Sequence, residues 1–261
     1  KMFRNIGLIY KKEIKSYFKS YIAYVVIAVF MVITGFMFND VVVKFSMLSF
    51  KAQGDPMLAK QYNLLNVTET VVRPMFGQIS MIMLLMMPML TMKLLADEKK
   101  SGTMELILTY PIRDAEVVMG KYLAGLTVFA AMLFSTVTYP LLLIALGEPE
   151  IVPMITGYFG LFLMGAAFVS LGLFASSVTE NQIIAASLAL GMLFLFYLMS
   201  MSAAYVSPGI GRIVSYLSIN DHFFSMAKGV VDTEDIIYYL SFVVFFLFLT
   251  MRSIESHRWR G

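Results

Sequence analysis

The stretch Ile151-Val-Pro-Met-Ile-Thr-Gly-Tyr-Phe-Gly-Leu-Phe-Leu-Met-Gly-Ala-Ala-Phe-Val-Ser-Leu-Gly-Leu-Phe-Ala-Ser-Ser-Val-Thr179 contains no Asp, Glu, Lys, Arg or His. A helix needs about 20 mostly apolar residues to cross a hydrocarbon core of about 30 Å, where every backbone polar group must be bonded internally for want of water. Five more charge-free runs share this character: 20–39, 74–92, 122–147, 181–211 and 236–251. The run 181–211 contains Ser207-Pro208-Gly209, which breaks a helix, so its span ends near Ala203. The last is short for a bilayer, but its helix can begin near Asp232 and Arg252 can snorkel. Asp232 and Asp235 then read as an acidic capping pair.

The expectation is an all-α polytopic membrane protein, one domain over 1–261, with transmembrane helices at about 20–39, 74–93, 121–147, 151–178, 181–203 and 233–252. Composition agrees: 59% of the 261 residues are hydrophobic and 14% charged, against about 45 to 50% and about 25% in soluble domains. A net charge of +3 on so apolar a chain gives no footprint for nucleic acid. The absence of cysteine removes disulfides, thiolate metal sites and cysteine nucleophiles, and two histidines exclude a histidine-rich metal centre.

Orientation follows from the basic residues. Lys1, Arg4, Lys11, Lys12, Lys15, Lys19, Lys93, Lys99, Lys100, Arg113, Lys121, Arg252, Arg258 and Arg260 fall on one side, and only Lys44, Lys51, Lys60, Arg73, Arg212 and Lys228 on the other. Both termini are therefore expected in the cytoplasm. The first apolar run is too long for a signal peptide and has no small-residue cleavage pattern after it, so it reads as a retained span. Before it, Phe3, Ile6, Tyr10, Ile14, Tyr17 and Tyr21 recur at steps of three or four. Arg4, Lys11, Lys15 and Lys19 take another face, so an amphipathic helix over 2–19 is expected to lie on the membrane with its lysines toward anionic lipid headgroups.

No ionisable residue sits well inside any run, which disfavours ion-coupled carriers and intramembrane proteases, because both need charged or catalytic groups at membrane depth. Small residues are plentiful instead: Gly157, Gly160, Gly165, Ala166, Ser170, Gly172 and Ser176 allow close helix packing. Tyr139-Pro140 marks a kink in the third span. The outer connection 40–73, with a turn at Gly54-Asp55-Pro56, is expected to hold short helices. The last outer connection, 204–232, is too apolar for a solvated loop. Two short re-entrant helices near 210–217 and 221–229 are expected there, with Asp221 as a cap and His222 without special function.

One connection carries chemistry. In 93–121, Asp97-Glu98-Lys99-Lys100 is a charged knot, Met104 to Leu108 is apolar, Pro111 ends that stretch, and Asp114 and Glu116 open the next helix at its positive end.

Glu98, Ser101-Gly102-Thr103, Glu105-Leu106, Leu108, Pro111 and Gly120-Lys121, taken in that order, resemble the loop of ABC type-2 exporter permeases. The likeness extends to the basic opening helix, the six spans, the long outer connections and the closing Arg252, Glu255, Arg258, Trp259 and Arg260. Within that family the chain is most similar to the gliding-motility and nitrous-oxide-reductase maturation permeases. The resemblance implies that 93–121 holds a coupling helix docked in a cleft of a separate nucleotide-binding subunit, present in two copies. Its docking residues would be Glu98, Gly102, Thr103, Glu105, Leu106, Leu108 and Pro111, with Glu105 supplying charge, Leu106 and Leu108 apolar anchors, and Gly102 a tight turn. A second permease copy or a homologous permease, periplasmic accessory proteins and membrane lipid are the other partners implied.

The chain is not its own motor. A phosphate loop needs Gly, four residues, then Gly-Lys-Ser/Thr, whereas Gly120-Lys121 has Ala115 at the first position and Tyr122 at the last. ATP and Mg would be held by the partner subunit, leaving this chain without cofactor or catalytic residue. Three functions remain to weigh. The first is the membrane subunit of an ATP-driven exporter, whose methionine-rich walls suit a lipidic or amphipathic substrate better than an ion. The second is a membrane anchor transmitting force to a motility or assembly complex. The third, an intramembrane enzyme, lacks catalytic groups at depth.

Overall fold

The computed structural model describes residues 2–52, 66–104, 112–146, 149–203 and 207–258. All regular structure among these is helical. The amphipathic helix α1 (Met2–Lys19) is followed by α2 (Ile22–Ala52), a π-helical turn (Thr68–Val72) running into α3 (Arg73–Thr91), and α4 (Lys93–Lys100). Then come α5 (Asp114–Ser135), α6 (Thr138–Leu146), α7 (Ile151–Val178), α8 (Gln182–Ala203), α9 (Pro208–Leu217), α10 (Ile219–Ala227) and α11 (Thr233–Arg258). Six helical segments are long and apolar enough to cross a bilayer.

The fourth span, α7, is the central one: 83% of its apolar window is buried, against 22% for α2 and 17% for α8, which present their hydrocarbon outward. Its glycines permit this burial. A methyl group added at Gly165 would lie 2.0 Å from the Phe129 ring of α5, and one at Gly172 would lie 2.1 Å from the Thr91 hydroxyl of α3. The small residues thus serve close packing within one chain. Three interior hydroxyls bond carbonyls of their own helix, Thr91 to Met87, Ser170 to Ala167 and Thr250 to Phe246, so these add no net demand for water.

Several expectations change. The helix of the first span, α2, does not stop at 39. It continues to Ala52, and at 1.5 Å per residue its 31 residues reach about 46 Å, well beyond a bilayer core. The end of the apolar run marks the edge of the membrane rather than the end of the helix, and a Lys44–Asp40 pair at 2.7 Å supports the emerging turn. Residues 53–65, including the expected turn at Gly54-Asp55-Pro56, lie outside the described residues.

The third span is broken rather than kinked. Pro140 cannot donate to Thr136, and the freed Thr136 carbonyl accepts instead from the Tyr158 hydroxyl at 2.8 Å and the Tyr139 amide at 3.0 Å. The chain enters the bundle from α1 by a tight turn at Tyr21, which takes the left-handed φ of 41°.

The two short helices before the last span are α9 and α10. Ser218, not Asp221, caps α10 by accepting the Asp221 amide at 3.3 Å. The Asp221 carboxylate accepts from Ser200 at 2.6 Å and Ser215 at 2.8 Å, stapling α8, α9 and α10 together. Asp235 leaves the capping role too: its carboxylate lies 2.6 Å from His222 Nδ1.

Candidate functional site

At the end of the bundle where α1, α4 and the start of α5 meet, four charged side chains form one cluster. Lys121 of α5, 2% exposed, places Nζ 2.9 Å from Glu13 of α1 and 2.8 Å from Glu98 Oε2 of α4. Lys12 of α1 reaches the other Glu98 oxygen at 3.0 Å. The Glu98 Oε2 contact is close but off the hydrogen-bonding direction, so its pull is chiefly coulombic. Partial burial lowers the Lys12 ammonium, and the hydrogen bond and charge of Glu98 with the charge of Glu13 more than offset this, so it titrates above the ordinary lysine value.

Local sequence explains how the cluster assembles. Gly120 has no side chain, and a methyl group there would lie 2.7 Å from Ile9, so α1 lies directly on α5 and brings Glu13 to Lys121. Tyr17 anchors the far end of α1 by donating to the Leu90 carbonyl at 2.8 Å, and burial pushes its hydroxyl pKa well up. At the near end, Glu116 accepts from Asn5 and from the Arg113 amide, both at 3.1 Å, so it caps α5 and fastens α1 at once. Arg4, Lys11, Lys15 and Lys19 of α1 are exposed. The apolar face packs largely on α5, and Phe3 at its tip remains 88% exposed.

The charged knot is divided among neighbouring helices. Asp97 accepts from Gln182 at the start of α8, Glu98 binds α1 and α5, and Lys99 donates to the Ser177 carbonyl at the end of α7. Ser253 of α11 donates to the same carbonyl at 3.0 Å. Ser176 completes the mount. The break at Met92 leaves the first amides of α4 without intrahelical partners, and Ser176 Oγ accepts from Leu95 and Ala96, both at 3.0 Å, while donating to the Met92 carbonyl at 2.9 Å. As a sequence element Ser176 is one small residue among many, and only the helix break assigns it this task.

What emerges from this mount is short. Ser101 ends α4, Gly102 follows at φ +69°, where glycine is favoured, and Thr103 Oγ1 lies 2.9 Å from Ser101 Oγ. Of the sequence-predicted docking residues, Gly102 and Thr103 are exposed at this exit, whereas Glu98 is held in the cluster. Glu105, Leu106, Leu108 and Pro111, like Trp259 and Arg260, lie outside the described residues.

A second polar group lies at the opposite end. His222 and Asp235 are both buried, and His222 Nε2 lies 3.0 Å from the Tyr216 carbonyl. A carbonyl only accepts, so Nε2 carries a proton there. The ring stacks on Tyr238 with centroids 4.0 Å apart, tying α9 and α10 to α11. This histidine is a structural tie, which its position beside Asp221 in the sequence did not reveal.

The chain is similar to known permeases. Residues 8–254 match the family model described as ABC-2 family transporter protein. A curated relative, the probable ABC transporter permease protein NosY of Pseudomonas aeruginosa, is 32% identical over 124 residues, 44% of this chain. The match covers 45% of that relative's length. With the model spanning nearly all of the sequence, the chain belongs to the ABC-2 family of transporter proteins.

Proposed function

We propose that this permease is the transmembrane subunit of an ATP-driven exporter. It lies in the cytoplasmic membrane with both termini inside, pairs with a second permease, and takes its energy from two copies of a separate nucleotide-binding subunit. The observation that carries the reading is the mount of α4. Asp97, Glu98 and Lys99 fix one short helix to four others, α1, α5, α7 and α8, and Ser253 of α11 shares the Ser177 carbonyl with Lys99, so a push on the residues that follow would reach all five together. A loop anchored to one span could not distribute force this way, because a coupling needs rigid elements with shared contacts. The surplus of lysine and arginine at this same end supports its placement in the cytoplasm, where ATP is available.

The exposed Gly102-Thr103 exit and the following Glu105, Leu106, Leu108 and Pro111 are the proposed docking surface. Glu105→Ala combined with Gly102→Trp removes a charge and forces a bulky side chain onto a left-handed backbone. The double variant is expected to lose co-purification with the nucleotide-binding subunit and to lower stimulated ATP hydrolysis about tenfold or more. Normal co-purification and hydrolysis would place the docking site elsewhere. Reconstitution addresses direction and cargo: ATP-dependent flux into the compartment facing the α9–α10 end is expected. ATP turnover with no flux of any cargo would instead favour an anchor that transmits force.

A further inference from the structure

Beside the ion-pair cluster, between α1 and the junction of α3 with α4, lies a cleft of about 300 Å³. Lys12, Ser16, Ser20 and Lys93 line it together with the apolar Leu90 and Leu94. It continues at Lys12, Ser16 and Ser20 into a depression of about 420 Å³ on the flank of α1, which adds Lys15 and Lys19. The carboxylates here are engaged: Glu13 with Lys121, Glu98 with Lys12 and Lys121, and Asp97 with Gln182. Among the described residues Lys15, Lys19 and Lys93 have no carboxylate at ion-pair distance. The five lysines around the two spaces outnumber the three carboxylates by two, so the cleft is cationic.

An apolar track leaves the same cleft. Met81, Leu85 and Met89 follow at four-residue steps on one face of α3 and are 56%, 53% and 51% exposed. Met89 also forms part of the cleft wall. A free anion has no use for such a track. A volume of about 300 Å³ is at the small end for ligand sites, enough for a polar headgroup but not for acyl chains, which would have to lie outside it.

We infer that this cleft binds one anionic phospholipid. Its phosphodiester lies between Lys93 and the hydroxyls of Ser16 and Ser20, Lys15 and Lys19 guard the mouth, and an acyl chain follows Met89, Leu85 and Met81. The site does not depend on the proposed ATPase. It adjoins the mount of α4, because Lys12 at its rim is also a partner of Glu98.

Delipidated full-length protein in detergent, titrated separately with phosphatidylglycerol, phosphatidylcholine and inorganic phosphate, tests the assignment by native mass spectrometry and thermal unfolding. One phosphatidylglycerol per chain is expected to be retained and to raise the unfolding temperature, with no such effect from phosphatidylcholine or phosphate. Lys93→Gln and Lys19→Gln are each expected to lower phosphatidylglycerol affinity about fivefold, whereas Lys228→Gln, at the opposite end of the bundle, leaves it unchanged. Ser16→Leu fills the cleft without altering charge and is expected to abolish retention even if Lys93→Gln fails to fold. Equal retention of the two lipids, an equal loss in the Lys228 and Lys93 variants, lipid retained by Ser16→Leu, or saturation by phosphate alone would overturn the assignment.

Discussion

Lys121 and the glycine before it illustrate what one residue reveals before and after folding. In sequence the pair is part of a family-like loop with no stated task. In three dimensions Gly120 admits Ile9 of α1 and Lys121 joins two carboxylates from helices far apart in the chain. Partners more than a hundred residues away, as Glu13 is, leave no local signal, so the ion pair is invisible to spacing and periodicity. Burial gives it its energetic weight, since removing one member strands the others in a poor solvent for charge. Lys121→Met is expected to destabilise the protein by about 3 to 5 kcal/mol, measured as denaturant or thermal unfolding in detergent. A loss under about 1 kcal/mol would mean that the cluster behaves as a solvent-screened surface pair.

At the scale of elements, apolar runs and small-residue spacing made the six spans and the two short helices before the last one legible, because both features arise from the solvent and the packing distance. Helix ends were less legible. The extension of α2 past 39 and the break in the third span depend on what the helix does beyond the lipid and on which group donates to the Thr136 carbonyl. The same is true of Ser176, whose capping role exists only because α4 starts afresh after Met92. Gly165→Ala is expected to cost about 1 to 3 kcal/mol, since its methyl would overlap the Phe129 ring. Gly191→Ala has open space within 4 Å and is expected to stay within about 0.5 kcal/mol of the parent in the same unfolding assay. Equal behaviour of the two would show that α7 and α5 are free to separate.

For the whole molecule, the scarcity of charge sorts the parts. Among the described residues, the buried charged groups sit at the two ends of the bundle, Glu116 and Lys121 at one and His222 and Asp235 at the other. One end ties α4 to its surroundings, and the other holds the short helices against the last span. The proposed docking surface follows the first of these, and its chemistry was readable only by resemblance, because Gly102, Thr103 and Glu105 have no partner within the chain's own sequence pattern that would announce one.

A chain without cysteine allows a direct test of that surface, since any introduced thiol is unique. Thr103→Cys and Lys44→Cys, at opposite ends of the bundle, can be carried through purification of the complex with the nucleotide-binding subunit and treated with a short thiol-directed crosslinker. A covalent adduct between the subunits is expected from Thr103→Cys and not from Lys44→Cys. An intact complex that crosslinks equally from both positions, or from Lys44→Cys alone, would contradict docking at this loop.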